Sequence, residues 1–384
     1  MKFCETFKFT ETPDQERVIR EVIADLLSDK PQDRLICGEV GFGKTEVALR
    51  ASFIVAQNNY QVCILAPTTV LAKQHFEVFK ERFSEFPYRA CLLTREQSKT
   101  EKIEIYKKIK ENYFSVIIGT HALFNKEISF NNLNLLIIDE EHKFGVRQKE
   151  QIRSLKSGIN VISLSATPIP RTLNLSLSKV RDISLITTPP TGRKSVKTIV
   201  SRYSKSLVFE AIQREFFRDG QVFYLLNNVS MLEEKKKEIS ERFPDKTIAF
   251  AHGQLRPKEL SKIMQNFIKK EIDLLVCTTI IESGIDIENA NTLIVEESEN
   301  YGLSQLHQIR GRVGRSQREA YAYFLLNQTK ELKNKASERI EALQENESLL
   351  SGFSLAMRDL EIRGAGELLG EKQSGPIDVV GLTL

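Results

Sequence analysis

Short apolar runs recur along the chain, each followed by a polar or helix-like stretch. In the first half they are RLICGEV (34–40), VCILAPT (62–68), SVIIGTH (115–121), LNLLIIDE (133–140) and INVISLSAT (159–167). In the second half they are QVFYLLNN (221–228), KTIAFAHG (246–253), DLLVCTT (273–279) and NTLIVEE (291–297). Unbroken β-rich runs without polar alternation predict strands buried on both faces. The segments between them read as helices. PDQERVIREVIADLLS, for example, places Val18, Ile19, Val22, Ile23, Leu26 and Leu27 at helical spacing. Strands alternating with helices predict an α/β fold with parallel sheets.

One segment breaks the alternation. TTPPTGRKS (187–195) holds two prolines, a glycine and no apolar run, and reads as a linker. It divides the chain into residues 1–188 and 189–328, two parallel-sheet domains in tandem. Residues 330–350 are charged and helix-like (ELKNKASERIEALQENESLL), and a Gly-rich stretch, SGFSLAMRDLEIRGAGELLGEKQSG, follows at 351–375. Residues 329–384 therefore form a third region. Read from its residues alone, RGAGELLG is equally a helix ending in a glycine turn.

Composition narrows the picture. A chain of 384 residues suits two domains, each able to bury a core. Apolar residues at 41% and charged residues at 28% fit a globular protein rather than a disordered one. No apolar run approaches the roughly 20 residues that span a bilayer, and MKFCETFKFTETPDQ has no signal-peptide core. Cys4, Cys37, Cys63, Cys91 and Cys277 form no CxxC pair, so reduced thiols in a cytoplasmic protein are expected, with no membrane partner. The five histidines are scattered, so no metal cluster is expected. The net charge of +4 permits nucleic acid but does not demand it.

The chemistry lies in motifs. GEVGFGKT (38–45) follows an apolar run and precedes a helix-like stretch. That is the context of a phosphate-binding loop, in which Gly38, Gly41 and Gly43 let backbone N–H groups turn towards phosphate. Lys44 would reach the terminal phosphates of ATP, and the Thr45 hydroxyl would hold Mg²⁺. LLIIDEEH (135–142) delivers Asp139 to the end of a strand as a second Mg²⁺ ligand. Glu140 beside it would orient and deprotonate an attacking water. Upstream, Gln15 in FTETPDQ can match the edge of adenine, or belong to a helix start capped by Thr12 or Asp14. QIRGRVGRS (308–316) gathers Gln308, Arg310, Arg312 and Arg315, a density that suits phosphate recognition from the other domain. TTIIESGIDI (278–287) offers Gly284 and Asp286 to a ribose or an adjoining strand.

These motifs, with LAPTTVLAKQH (65–75), IIGTHALF (117–124), DEEHKFG (139–145), SATPIPRTL (165–173) and AHGQL (251–255), resemble in order the superfamily 2 helicases and translocases. The longer strings PDQERVIREV, DRLICGEVGFGKTEVALRASF and DEEHKFGVRQKE are similar to the coupling-factor motors of transcription-coupled DNA repair, with RecG-type helicases next. The resemblance implies two RecA-like lobes with ATP between them, followed by a helical-hairpin translocation motif. It implies that Phe9 lies near the base and Gln15 reads adenine. Arg312 and Arg315 would be fingers for the transition state, and Ser165 and Thr167 would couple nucleotide state to DNA grip. Thr68, Thr69, Gly119, Thr120 and Thr279 would face the backbone of double-stranded DNA, without reading sequence. Arg339, Arg363 and Gln373 would occupy coupling positions of the translocation motif, with Arg358 on the surface. His142 stands where relatives often carry glutamine.

The resemblance further implies a motor and little else. The segments before Phe9 and after Gly375 are too short for the damage-recognition, polymerase-binding, autoinhibitory or wedge domains of such proteins. RNA polymerase, a partner in the parent family, therefore has no expected contact domain here. The alternatives are a RecG-like branched-DNA helicase core, or a nucleic-acid-binding remnant without turnover.

Overall fold

The computed structural model describes residues 2–155, 158–166, 181–279, 287, 289–314 and 318–328. It contains two all-parallel sheets in tandem. The first runs in the order β3-β4-β2-β5-β6-β1-β7. Its strands are β1 (Asp33–Gly38), β2 (Gln61–Leu65), β3 (Ala90–Leu93), β4 (Val116–Gly119), β5 (Leu133–Asp139), β6 (Asn160–Ser165) and β7 (Asp182–Ile186). The second runs β10-β11-β9-β12-β13-β8. It comprises β8 (Val196–Arg202), β9 (Gln221–Leu225), β10 (Ile248–Ala251), β11 (Leu274–Cys277), β12 (Ala290–Val295) and β13 (Ala320–Leu326). The described helices are α1 (Lys2–Glu5), α2 (Pro13–Leu26), α3 (Lys44–Gln57), α4 (Thr69–Arg82), α5 (Lys99–Lys110), α6 (Val146–Leu155), α7 (Lys205–Phe217), α8 (Leu232–Arg242), α9 (Pro257–Ile268) and α10 (Leu303–Arg310).

The uninterrupted apolar runs have a direct cause. In β5, Leu135 and Ile137 enter one core while Leu136 and Ile138 enter the core on the opposite face. The second sheet repeats the pattern, with Leu293 and Val295 on one face and Ile294 on the other. Each such side chain contributes roughly 1.5–3 kcal/mol by leaving water, so a polar residue at either parity would be selected against. No described helix is long and apolar enough to cross a membrane. All five cysteines are free, and four of them are buried.

α2 shows how local chemistry sets an element. Thr12 caps it, with Oγ1 accepting from Gln15 N at 3.3 Å, while Gln15 Oε1 accepts from Thr12 N at 3.0 Å. Pro13 opens the helix, where its missing N–H costs nothing. Val18, Ile19 and Val22 face the core, whereas Leu27 lies beyond the helix end and is exposed.

Parallel pairing decides where chemistry can gather. β1 and β6 are in register with Cys37 opposite Ser165, and β5 and β6 with Asp139 opposite Leu164. The C-terminal ends of β1, β5 and β6 therefore share one sheet edge, where ligands sit in open α/β folds. Residues 187–195 form neither helix nor strand and join the two sheets. The proposed helical-hairpin region, 329–384, lies outside the described residues.

Candidate active site

The loop after β1 turns into α3 through Gly41 (φ +79°) and Gly43 (φ +82°), backbone conformations that side chains disfavour. A Cβ at Gly43 would also lie 2.3 Å from Gln15 Nε2. Gln15 is buried, and its Nε2 donates to the Phe42 carbonyl at 2.9 Å. The residue thus closes the α2 cap and braces the loop. Lys44 Nζ donates to the Gly38 carbonyl at 2.5 Å and the Glu39 carbonyl at 2.9 Å. Thr45 stands half-buried in the first turn of α3. Phe9 is 71% exposed beside Phe7, outside the loop's packing.

The acids at the end of β5 have separate partners. Asp139 Oδ2 lies 2.8 Å from Nε2 of His75, a buried residue of α4. Glu141 Oε2 accepts from Ser163 Oγ at 2.9 Å and from Arg181 Nη1 at 3.0 Å. Glu140 sits between them at φ +50°, a strained left-handed position for a non-glycine residue. Its Oε2 is buried without a hydrogen bond among the described residues, 3.3 Å from His142 Nδ1. Burial raises the Glu140 carboxyl above its usual range, and the Asp139 charge adds to this. Lys44, Arg312 and the Ala166 N–H act the other way. His142 is pushed down to about 4 by burial and by Lys143 and Lys149, so its imidazole is neutral at pH 7.

The second lobe reaches the same edge. Arg312 is buried, and its charge bears on Glu140. α10, which carries Gln308, lies against the loop. His307 Nε2 is 3.7 Å from Glu39 Oε1, and a Cβ at Gly311 would meet Val40 Cβ at 3.5 Å. Burial, with the charges of Arg310 and Arg193, holds His307 at about 3. On another face, Lys73 of α4 donates to Ser261 of α9 at 2.8 Å.

Several expected residues lie elsewhere. Thr68 caps α4, its Oγ1 accepting from Leu71 N at 3.3 Å, with Thr69 next and half-buried. Ser165 is buried at the end of β6, and Thr279 is half-buried beyond β11. Gly119 and Thr120, expected to face a DNA backbone, lie beneath the surface. A Cβ at Gly119 would meet the Leu93 carbonyl at 2.3 Å, so the glycine serves close packing of β4 on β3. Thr167, Gly284, Asp286, Arg315, Arg339, Arg363 and Gln373 lie outside the described residues.

The residues fit a nucleoside triphosphate and its divalent ion. A glycine loop is preset with two positive-φ turns, a lysine waits on loop carbonyls, and a buried carboxylate oxygen has no donor among the described residues. Such a loop on one lobe, carboxylates at the end of another strand of the same sheet and arginine from a second lobe define the helicase-type ATPases. Residues 12–175 match the DEAD/DEAH box helicase family, and residues 206–317 match the helicase conserved C-terminal domain. The two halves of the chain thus each match a helicase domain. Along its whole length it is similar to transcription-repair-coupling factors. It is 48% identical over 382 residues to that of Escherichia coli (strain K12), covering 100% of this chain and 33% of that protein. It is 50% identical over 382 residues to that of Buchnera aphidicola subsp. Baizongia pistaciae (strain Bp), covering 55% of that protein. The chain thus spans between a third and about half of these curated relatives. A structure of RecG bound to a three-way DNA junction is similar at a TM-score of 0.79 and 34% identity, over 96% of this chain and 49% of that one. Dbp5 bound to RNA and ADP BeF3, at 16% identity and a TM-score of 0.69 over 94% of this chain and 96% of that one, shares the fold.

Proposed function

We propose that this chain is an ATP-driven motor on double-stranded DNA, of the kind used in transcription-coupled repair. One observation carries the reading: Glu140 is buried, and the charges of Lys44 from its own lobe and of Arg312 from the other both bear on it. A site assembled from two lobes closes and opens with nucleotide state, and that motion is what a motor can use.

ATP would lie along residues 38–45, with its phosphates on the loop amides and Lys44. Thr45 and Asp139 would hold Mg²⁺, which neutralises charge on the phosphates. In this reading Gln15, held against the Phe42 carbonyl, and the exposed Phe9 would recognise the base. Glu140 takes a proton from the attacking water. Asp139 keeps His75 as its own partner at 2.8 Å. Arg312 stabilises the charge that develops on the transferred phosphoryl group, as Arg315 does in this reading. DNA would be held mostly by its phosphates, so binding would be independent of sequence and sensitive to salt. Contacts from α4 near Thr68 and Thr69, and from Thr279, fit that role. Arg339, Arg363 and Gln373 would convert lobe closure into movement.

The likeness to RecG on a junction favours one second reading, a branched-DNA helicase core. The test uses two substrates: a plain duplex carrying a third strand, and a fork without one. The motor reading predicts ATP-dependent loss of the third strand with little fork unwinding. Robust unwinding of the fork, with the third strand retained, would overturn it in favour of the second reading.

A further inference from the structure

The segment between the sheets lacks regular structure but is fastened at two points. Near its start, Asp14 of α2 accepts from Thr187 N at 2.8 Å and Thr188 N at 2.9 Å, and from both hydroxyls. Further along, a turn closes from Arg193 N to the Pro190 carbonyl at 3.2 Å, with Gly192 at φ +83°. That turn aims Arg193 at the phosphate loop. Its Nη1 donates to the Val40 carbonyl, and its guanidinium carbon lies 5.2 Å from the centre of the Phe42 ring. A Cβ at Gly41 would sit 2.7 Å from Nη1, so the guanidinium occupies the space that the glycine leaves.

We propose that Arg193 is a positioning residue for nucleotide binding, which sets the phosphate loop through the Val40 carbonyl and ties it to the interdomain segment. The proposal rests on the reading that residues 38–45 take a nucleotide. The peptide between Val40 and Gly41 is planar and trans, so its C=O and N–H point in opposite directions. Holding the carbonyl against Arg193 turns the Gly41 N–H away from the interdomain segment. In a loop of this kind the backbone N–H groups are the phosphate donors. A bond from a guanidinium is charge-assisted and stronger than a neutral one. The cation–π contact with Phe42 holds the guanidinium from a second side. A cation at this place also raises the positive potential around the loop. Nothing in the phosphate-loop motif specifies this residue, which lies some 150 positions later in sequence.

Titration with a fluorescent ADP analogue tests the proposal on the whole chain, with Lys44→Ala as the control for loop-dependent binding. Arg193→Ala is expected to weaken binding about tenfold, the size of one charge-assisted bond. Arg193→Lys, which keeps the charge and a donor, is expected to recover most of that loss. In turnover, the loss should appear in KM more than in kcat. The rise in Tm produced by ADP, measured against each variant's own melting point without nucleotide, should shrink. An alanine variant that binds ADP like the wild type, beside a Lys44→Ala variant that does not, overturns the proposal alone. A wild-type chain that binds no nucleotide overturns both the proposal and the functional reading. If the alanine variant does not fold, Arg193→Gln decides: wild-type affinity in a folded chain overturns the proposal, and weakened affinity supports it.

Discussion

Asp139, Glu140 and Glu141 leave one strand end in succession, yet their side chains have separate surroundings: His75 for Asp139, His142 at 3.3 Å for Glu140, and Ser163 with Arg181 for Glu141. The strand itself was legible, because LNLLIID is an unbroken apolar run that ends in acid. The partners were not legible. His75 lies 64 positions from Asp139 and comes from a different helix. No local pattern marks it, since a histidine in a helix reads equally well as a surface residue. The contact has a consequence for metal binding. If Asp139 holds Mg²⁺ as proposed, His75 would fix the rotation of its carboxylate and so decide which oxygen faces the ion. His75→Ala should raise the Mg²⁺ concentration needed to enhance binding of an ADP analogue by about tenfold, within the range seen when such supporting residues are lost. Binding without metal should change little. An unaltered Mg²⁺ requirement would make His75 a packing residue only.

At the scale of elements, the apolar runs located the central strands. They did not single out β3, β7 and β8, each at a sheet edge, or β13 beside β8. An edge strand is buried less evenly, and its sequence alternates accordingly: β7 reads exposed, half-buried, buried, exposed, buried along DISLI. The proline-containing segment was legible as a break, but its anchoring was not. Asp14 illustrates this. Burial tends to raise its carboxyl, but hydrogen bonds from Thr187, Arg17 and Thr188 prevail and hold it well below the usual carboxylate range. A carboxylate depressed on folding stabilises the fold above its unfolded pKa, near 4, and loses that contribution as pH falls below it. Wild type should therefore exceed Asp14→Asn by about 1 kcal/mol at pH 7, allowing for solvent screening. The gap should close as pH falls from about 5 towards 2. Urea melts across that range would show it. A gap that is constant with pH would mean that the clasp does not depend on the ionised carboxylate.

At the scale of the molecule, the proposed nucleotide site draws on both lobes, and neither holds all of it. Lys44, Asp139 and Glu140 belong to one lobe and Arg312 to the other, while Arg193 comes from between them. Motif order made the two-lobe plan legible. The burial of Gly119 and Thr120 was not legible, because it depends on how tightly β4 packs on β3. If DNA is held by phosphate contacts, its affinity should fall steeply with salt and should not depend on sequence. For about five such contacts, a rise from 50 to 200 mM would cost several hundredfold. A shallow dependence would indicate recognition of bases.

The central claim is that two lobes make one ATP-hydrolysing site that duplex DNA engages. The direct measurement is steady-state ATP hydrolysis with and without duplex DNA, for the wild type and for Glu140→Gln. The account predicts turnover that rises with duplex and falls at least about 100-fold in the variant, which still binds nucleotide. Wild-type turnover no faster than that of Glu140→Gln, with or without DNA, would contradict it.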